Sequence, residues 1–392
     1  MSSTTMSTTP PRFTQLNDLA SAKAGGRVLF ATDDWFAVAD NLLKGDPPQW
    51  KEGVFTEYGK WMDGWESRRK RMEGHDWCIV QLGVSGVISG VEVDTSFFTG
   101  NYAPRFSLQA ACLPDGTTFP VRQAQMGTAA SPQQLAAMEN MQTEKWTELV
   151  PLTALRPGYP DTCKNYYHIT STQRWTHVRL NMYPDGGIAR LHVYGIGSKD
   201  WSTVKSNELV DLVAMENGGV CMGFSNAHYG HPRNAIGLGR AENMGDGWET
   251  ARRLDRPPIL QADKSGVLMV PGCEWAVYRL GHPGVILKVE IDTNHFKGNY
   301  PDSCRIEACA LSAREEQALF GKEGAAIGSE EAKWKTLLGP TKLSAHRRLF
   351  LSGGQVQPVG VVTHVRLTMT PDGGISRMRL WGYPRAPNPA KL

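Results

Sequence analysis

The sequence predicts an all-β protein made of two tandem jelly-roll-like antiparallel β-sandwich domains, each with a short helical insertion. Three observations support this fold class: the chain has 392 residues, it contains one long internal repeat, and its apolar residues mostly alternate with polar ones. A chain of this length usually divides into two domains. Alternation with a period of two is typical of half-buried strands.

The internal repeat defines the domain boundaries. The segment from Thr176 to Arg190 recurs almost unchanged from Thr363 to Arg377. Further matches keep the same order, and they are Asp63-Gly-Trp-Glu with Asp246-Gly-Trp-Glu, Val91 to Tyr102 with Val289 to Tyr300, Phe30 with Phe224, and Trp146 with Trp334. A period this long indicates a duplicated domain. We predict domains over 25–197 and 218–383, a linker over 198–217, a disordered tail over 1–24 and a C-terminal tail over 384–392.

Local patterns predict the elements within each domain. In the segment that begins at Thr176, the residues His177, Arg179 and Asn181 share one strand face, and such a polar face usually meets solvent or another domain. Pro184-Asp-Gly-Gly187 and its copy favour a hairpin turn. Further strands are expected over 84–94 and 285–292 because both are rich in Val and Ile. Ser131-Pro132 and Ser312 to Glu315 carry N-capping signals that predict a helix after each.

Composition excludes several classes of protein. The 42 basic and 39 acidic side chains nearly cancel, which argues against a nucleic-acid partner. No apolar run is long enough to cross a bilayer, and the N-terminal residues do not form a secretion signal. Seven cysteines without a Cys-x-x-Cys pair favour buried thiols in a reducing compartment. Ala390-Lys391-Leu392 is close to a peroxisomal address, so we expect a cytoplasmic or peroxisomal protein that is not secreted.

Metal and cofactor motifs are weak. The chain has no His-Glu-x-x-His, Gly-x-Ser-x-Gly or Gly-Lys-Ser/Thr element. His228 and His231 are three residues apart and are possible ligands of a divalent metal, although hydrogen bonding within a loop is the favoured interpretation. No cofactor is therefore predicted with certainty, and no metal-ligand set is assigned.

The repeated motifs also contain the candidate site residues. Asp63 and Glu66 precede Arg68 and Arg69, which places acid, base and anion-binding groups together, although a structural turn explains them equally well. The second copy supplies Asp246, Glu249, Arg252 and Arg253. His177 with Arg179, and His364 with Arg366, are further candidates on the polar strand faces. Asp94 and Asp292 are candidate substrate-binding residues, and capping of a strand end is their favoured alternative.

Several segments resemble the allantoicase family. They are Phe30 to Phe36, Gly59 to Arg71, Gly74 to Cys78, Asp94 to Ala103, Gly223 to His228 and Gly247 to Pro258. The resemblance covers about residues 25–383. It implies two jelly-roll domains, self-association as a homo-oligomer, a role in purine degradation, and hydrolysis of allantoate to ureidoglycolate and urea.

That reaction requires an anion-binding group and groups that transfer protons. We expect Arg69 or Arg179 to hold the substrate carboxylate. We expect Glu66, Asp63 and His177 to transfer protons. Asp246, Glu249 and His364, with Arg252 and Arg366, are their equivalents in the second repeat. The sequence leaves open which repeat holds the site and whether the site lies between the two repeats.

Three alternatives stay open. The chain could be an inactive jelly-roll relic that binds a small polar ligand or carbohydrate without turnover. It could use ureidoglycolate as its substrate. It could also be a purely structural homo-oligomer, in which case small molecules would not change its thermal stability.

Overall fold

The chain forms two compact units, residues 1–196 and 197–392. The computed structural model describes residues 10–321 and 332–385. The two units contain equivalent strands in the same order, so the predicted duplication of an all-β domain is confirmed. The predicted Ala390-Lys391-Leu392 signal lies outside the described residues.

The first unit contains twelve strands and one α-helix within its described residues. The elements are β1 (Asn17–Asp18), β2 (Arg27–Ala31), β3 (Phe55–Thr56), β4 (Gly59–Lys60), β5 (Trp65–Glu66), β6 (Asp76–Asp94), β7 (Arg105–Ala111), α1 (Pro132–Asn140), β8 (Thr147–Ala154), β9 (Lys164–His168), β10 (Arg174–Tyr183), β11 (Gly187–Ile188) and β12 (Arg190–Gly197).

The second unit also has twelve strands among its described residues and repeats this order, except that its short strand pair follows the Trp-Glu strand, whereas β3 and β4 precede it. Its elements are β13 (Val210–Asp211), β14 (Val220–Phe224), β15 (Trp248–Glu249), β16 (Gln261–Ala262), β17 (Leu268–Met269), β18 (Glu274–Asp292), β19 (Ser303–Cys309), α2 (Ala313–Phe320), β20 (Lys335–Lys342), β21 (Arg348–Ser352), β22 (Val362–Thr370), β23 (Gly374–Ile375) and β24 (Arg377–Pro384). Short 3₁₀ helices, such as Ala39–Leu43 and Pro232–Ile236, connect several strands.

One long strand organises each unit. In the first unit, the N-terminal part of β6 pairs with β2 and β10, and its C-terminal part pairs with β9. In the second unit, β18 pairs in the same way with β14, β22 and β21, and its C-terminal part also pairs with β24. The long strand thus contributes to both layers of the sandwich, which explains why it exceeds the predicted spans 84–94 and 285–292.

The predicted hairpin at Pro184-Asp-Gly-Gly187 is wrong. The strands on either side, β10 and β12, do not pair with each other, because both pair with β6. The second unit has the same arrangement for β22, β24 and β18. Gly187 instead lets β11 pack closely against the ring of Phe98. A Cβ atom added at Gly187 would lie only 2.0 Å from Phe98 Cδ1. The motif therefore carries the chain from one layer to the other.

The two predicted helices are confirmed. Ser131 Oγ accepts a hydrogen bond from Gln134 N, and Gln134 Oε1 accepts one from Ser131 N, which completes a capping box on α1. Ser312 and Glu315 form the same box on α2. Met138 of α1 packs with Phe30 and Ile79 in a buried cluster. The insertion that contains α1 therefore covers the outer face of the sheet.

This cover changes the environment of the polar face of β10. We expected that face to meet solvent or another domain, but His177, Arg179 and Asn181 are all at most 5% exposed. Thr143 in the insertion accepts a hydrogen bond from Arg179, at 2.6 Å. Because the insertion shields these polar groups from water, each must find a partner inside the unit.

Three other expectations need correction. Residues 10–24 are not a disordered tail, because Phe13 is buried and β1 pairs with β12. The segment 198–217 is not only a linker, because β13 pairs with β24. The seven cysteines are free thiols, but Cys112 is exposed and Cys273 is half-buried. Among the described residues, no helix is long and apolar enough to cross a membrane.

Candidate functional site

The two repeated motifs of each unit meet in space. In the first unit, Trp65 and Glu66 of β5 pair with Ile188 and Gly187 of β11. Asp185 then accepts hydrogen bonds from Arg69 Nη1 and Lys70 N, both at 2.8 Å. The Asp of the Pro-Asp-Gly-Gly motif therefore holds the segment Arg68 to Arg71, which we call the arginine loop.

The arginine loop borders a cavity of about 1020 Å³ in the first unit. Trp77 and Arg179 form its floor on the outer face of the sheet, and Leu135, Met138 and Glu139 of α1 form one wall. His75 and Asp33 also line it. We call this space the Arg179 cavity. Its lining combines apolar side chains with many charged ones of both signs.

Arg179 is the buried cation of this cavity. Its guanidinium donates to Asn181 Oδ1 at 2.9 Å and to Thr143 Oγ1 at 2.6 Å, and Cζ lies 4.0 Å from the Trp77 ring centroid. The nearest carboxylate oxygen paired with it, on the half-exposed Glu144, is 3.9 Å away. Burial lowers the pKa of Arg179 to about 10, with Glu144 acting in the opposite direction. An anionic ligand would supply the missing counter-charge.

His75 lies beside Arg179 at the end of the arginine loop. Its Nε2 is 3.0 Å from Asn181 Oδ1, and its ring stacks on Tyr183 with 4.2 Å between centroids. Burial lowers the pKa of His75; the Asn181 contact raises it, and the charge of Arg179 lowers it further. The net shift favours the neutral form of the His75 imidazole. Sequence reasoning did not assign it a role.

Asp33 and Arg68 form the ion pair at the rim of the cavity. Arg68 Nε donates to Asp33 Oδ2 at 2.7 Å, and the Arg68 guanidinium stacks on Trp35. Burial raises the pKa of Asp33, although Arg68 and two backbone N–H groups oppose that rise. The pair fixes the start of the arginine loop, since Asp33 also accepts from Arg68 N.

Of the predicted site residues, only Arg69 and Arg179 line this cavity. Glu66 lies close to Arg69 but accepts a hydrogen bond from Asn101 Nδ2 at 2.7 Å. Burial raises the pKa of Glu66, while Asn101 and Arg69 oppose that rise. The equivalent Glu249 accepts from Asn299. Both glutamates thus connect the β5–β11 or β15–β23 pair to a neighbouring loop.

Asp63 and Asp246 are held by buried arginines. Asp63 Oδ2 accepts from Arg190 Nη2 at 2.8 Å, and Lys44 and the backbone N–H of Gln49 also donate to Asp63. Burial opposes ionisation of Asp63, but these donors together lower its pKa. Asp246 accepts from Arg377 at 2.9 Å in the same way. Both carboxylates are occupied by donors of their own unit.

His177 lies in a different cavity, of about 340 Å³. Its Nδ1 is 2.8 Å from Thr176 Oγ1, and its ring faces Phe119. Burial lowers the pKa of His177 to about 4. The equivalent His364 is 3.5 Å from Glu316 Oε2 and stacks on Phe320. The structure does not bring His177 into the Arg179 cavity.

Asp94 and Asp292 occupy strand ends. Asp94 accepts from Ser96 N and from Lys164 Nζ, at 2.8 and 2.7 Å. Asp292 accepts from Asn294 N and from Arg240 Nε, at 2.9 and 2.7 Å. These contacts are the strand-end caps that we favoured over substrate binding.

The second unit differs at several of the positions that surround Arg179 in the first unit. Strand register shows that Arg179 in the first unit is equivalent to Arg366 in the second. Their neighbours on the adjacent strand, Gln109 and Glu307, are equivalent to each other. Glu307 Oε2 accepts from Arg366 Nε and Nη2 at 2.9 and 2.7 Å, so this cation is already paired. Arg252, the equivalent of Arg69, is exposed, as Arg69 is.

Two more differences follow from the same register. Thr368 stands opposite Trp275 where Asn181 stands opposite Trp77. Cys273 precedes β18 where His75 precedes β6. The structural register also shifts, by one residue, the sequence alignment that matched Phe30 with Phe224. Trp65 Nε1 donates to Asp33 O and Trp248 Nε1 donates to Asn226 O, so Asp33 corresponds to Asn226 rather than to Ala227.

The possible metal ligands do not form a centre. His231 Nδ1 accepts from Arg233 N at 3.0 Å and caps the 3₁₀ helix Pro232–Ile236, and burial lowers its pKa to about 3. The His228 ring lies against Tyr229. Within residues 10–321 and 332–385, no three His, Cys, Asp or Glu side chains are grouped to hold a metal ion.

Comparison with known proteins identifies relatives along nearly the whole chain. The allantoicase repeat model matches residues 17–198 and 210–385. A probable allantoicase of Stutzerimonas stutzeri is 43% identical over 370 residues, which cover 94% of this chain and 97% of the relative. A probable allantoicase of Pseudomonas syringae pv. syringae is 42% identical over 370 residues, which again cover 94% of this chain and 97% of the relative.

A solved structure has the same fold. The crystal structure of allantoicase from Saccharomyces cerevisiae matches with a TM-score of 0.67 and 30% identity, over 94% of this chain and 93% of that chain. The match spans both units, in agreement with the two copies of the repeat.

Proposed function

Because this chain belongs to the allantoicase family, we propose that it hydrolyses allantoate to ureidoglycolate and urea, in the Arg179 cavity of the first unit. One observation carries the location: Arg179 is a buried guanidinium that lines a cavity, and no carboxylate among residues 10–321 and 332–385 is hydrogen-bonded to it. A carboxylate substrate would complete that pairing.

Allantoate has a carboxylate and two ureido groups on one carbon. In the reaction, water adds its oxygen to that carbon, the bond from the carbon to one ureido nitrogen breaks, and that nitrogen gains a proton to leave as urea. Arg179 pairs with the carboxylate and so fixes the reacting carbon in the cavity. Trp77 holds the guanidinium plane by stacking.

His75 is the group best placed to move the proton. As a neutral imidazole, it accepts a proton from the attacking water and passes that proton to the departing nitrogen. Its lowered pKa keeps the accepting form populated at neutral pH. Arg69 and Arg68 add positive charge at the rim, where an anionic substrate enters.

Glu66 and Asp63 have supporting roles in this proposal. Glu66 is next to Arg69 and Asn101, so it maintains the position of the arginine loop. Asp63 stabilises the fold through Arg190. His177, Asp94 and their second-unit equivalents take no part in the chemistry, since each has its own structural partners.

The second unit is not catalytic in this proposal. Glu307 neutralises Arg366, and Cys273 replaces the proton-accepting imidazole. Self-association as a homo-oligomer, and a cytoplasmic or peroxisomal location, stay predictions beside this proposal.

The test is to incubate the protein with allantoate and measure ureidoglycolate and urea against time. We expect equal amounts of both products from the wild type and from Cys273→Ser, and at least a hundredfold less from His75→Gln, as expected for loss of a general base. Allantoate that raises the melting temperature without product would identify a binding relic instead. Equal turnover by His75→Gln and the wild type would place the chemistry elsewhere.

A further inference from the structure

Asn181 contacts both groups on which the proposed function relies. Its Oδ1 is 2.9 Å from Arg179 Nε and 3.0 Å from His75 Nε2. Its Nδ2 is 3.1 Å from both Ser107 Oγ and Gln109 Oε1. A side-chain amide has two N–H donors and two oxygen lone pairs, and all four are used here.

These contacts fix the orientation of the amide. A guanidinium can only donate, so the Asn181 atom that faces Arg179 Nε must be the carbonyl oxygen. The same oxygen faces His75 Nε2 and can only accept from it. His75 Nε2 must therefore carry a hydrogen, and in the neutral ring Nδ1 must then carry the lone pair.

Nδ1 of His75 is free for a substrate. It makes no hydrogen bond with any residue in the described part of the chain. It is also not among the described side-chain atoms that are both buried and without a hydrogen-bond partner. Since His75 lines the Arg179 cavity, the lone pair is available to a water molecule bound there.

We infer that Asn181 is a positioning residue that sets the tautomer of His75 and orients Arg179, so that one amide prepares both the proton acceptor and the carboxylate-binding group. The inference rests on the proposed function for the use of the cavity. The second unit has lost both halves of this device, because Thr368 replaces the amide and Cys273 replaces the imidazole.

Two variants separate positioning from simple structural support. Asn181→Asp keeps the shape and the accepting oxygens but adds a negative charge beside His75 and Arg179. We expect the acidic limb of the kcat/KM profile to move up by roughly one pH unit or more, because an adjacent carboxylate favours the imidazolium. KM should also rise, because the new charge neutralises Arg179.

Asn181→Leu removes the tautomer constraint and should lower kcat. Thr368→Asn, at the equivalent position, is the control and should leave the profile unchanged.

The tautomer itself can be measured without turnover. Nitrogen-15 NMR of the wild type, with the His75 signal assigned by its loss in His75→Gln, should show the hydrogen on Nε2, and Asn181→Leu should show both tautomers. A hydrogen on Nδ1 in the wild type, or a pH profile of Asn181→Asp identical to that of the wild type, would overturn the inference. Failure of the wild type to release urea from allantoate would overturn the proposed function alone, and the NMR result would still decide the role of Asn181.

Discussion

Arg179 and Arg366 occupy the same strand position in the two units but have opposite electrostatic surroundings. Arg179 faces the neutral Gln109, whereas Arg366 faces Glu307 and donates to it twice. A guanidinium that already donates two hydrogen bonds to a carboxylate is a weaker partner for an anionic ligand. The exchange of Glu307 for Gln109 on the adjacent strand thus distinguishes the proposed anion site at Arg179 from the structural ion pair at Arg366.

Substitution of the two arginines tests this contrast. Arg179→Lys keeps the charge but removes the planar fork that binds a carboxylate through two hydrogen bonds. We expect KM for allantoate to rise on the order of 10- to 100-fold, the equivalent of losing one charge-assisted hydrogen bond. Arg366→Lys is the matched control and should leave KM unchanged. Steady-state kinetics decide the matter, and an equal rise in both variants would mean that the site uses both units.

At this scale the sequence predicted part of the proposed site. Alternation along 176–181 placed Arg179 on the polar face, and its charge marked it as a carboxylate-binding candidate. His75 was missed because its role depends on Asn181, which is 106 residues away. Likewise, only the structure shows that Asp63 is paired with Arg190. The replacement of His75 by Cys273 between the repeats was the one available signal.

The insertion helices are the elements in which the two units can be compared most directly. Both α1 and α2 begin with a complete capping box. Leu135, Met138 and Glu139 of α1 line the Arg179 cavity, whereas α2 places Glu316 against His364 and packs Phe320 on that ring. The same element therefore forms a wall of the cavity in one unit and covers a buried imidazole in the other.

Removal of the caps should separate stability from function. Ser131→Ala and Ser312→Ala each lose an N-cap and should each lower the free energy of unfolding by about 1 kcal/mol. Only Ser131→Ala should also raise KM for allantoate, because fraying of α1 displaces Leu135 from the cavity wall. Urea denaturation and steady-state kinetics provide the two measurements. A raised KM in Ser312→Ala, or an unchanged KM in Ser131→Ala, would contradict this role of α1.

Elements with local signals were predicted well, and elements that depend on distant pairing were not. The helices followed from capping residues within four positions of each other. The supposed hairpin at Pro184-Asp-Gly-Gly187 failed because turn residues specify a change of direction but not the partner of the next strand. That partner, β6, is the long strand that contributes to both layers.

At the scale of the whole molecule, duplication has preserved the scaffold and altered the chemistry. Each unit retains the long central strand, the contact between the two repeated motifs and the buried Asp–Arg pair. The differences include Gln109 against Glu307 and His75 against Cys273, so Arg179 has no hydrogen-bonded carboxylate among the described residues and has an imidazole nearby. The repeat was evident in the sequence, but its asymmetry became clear only when strand register had matched Asp33 with Asn226.

This asymmetry predicts one substrate site for each chain of 392 residues. Calorimetric titration of the His75→Gln variant with allantoate should give one site per chain, because that variant retains Arg179 but lacks the proton acceptor. Adding Arg179→Lys should greatly weaken this binding, whereas adding Arg366→Lys should not. A stoichiometry of two would mean that Arg366 exchanges Glu307 for the substrate carboxylate, and the second unit would then be a binding domain in its own right.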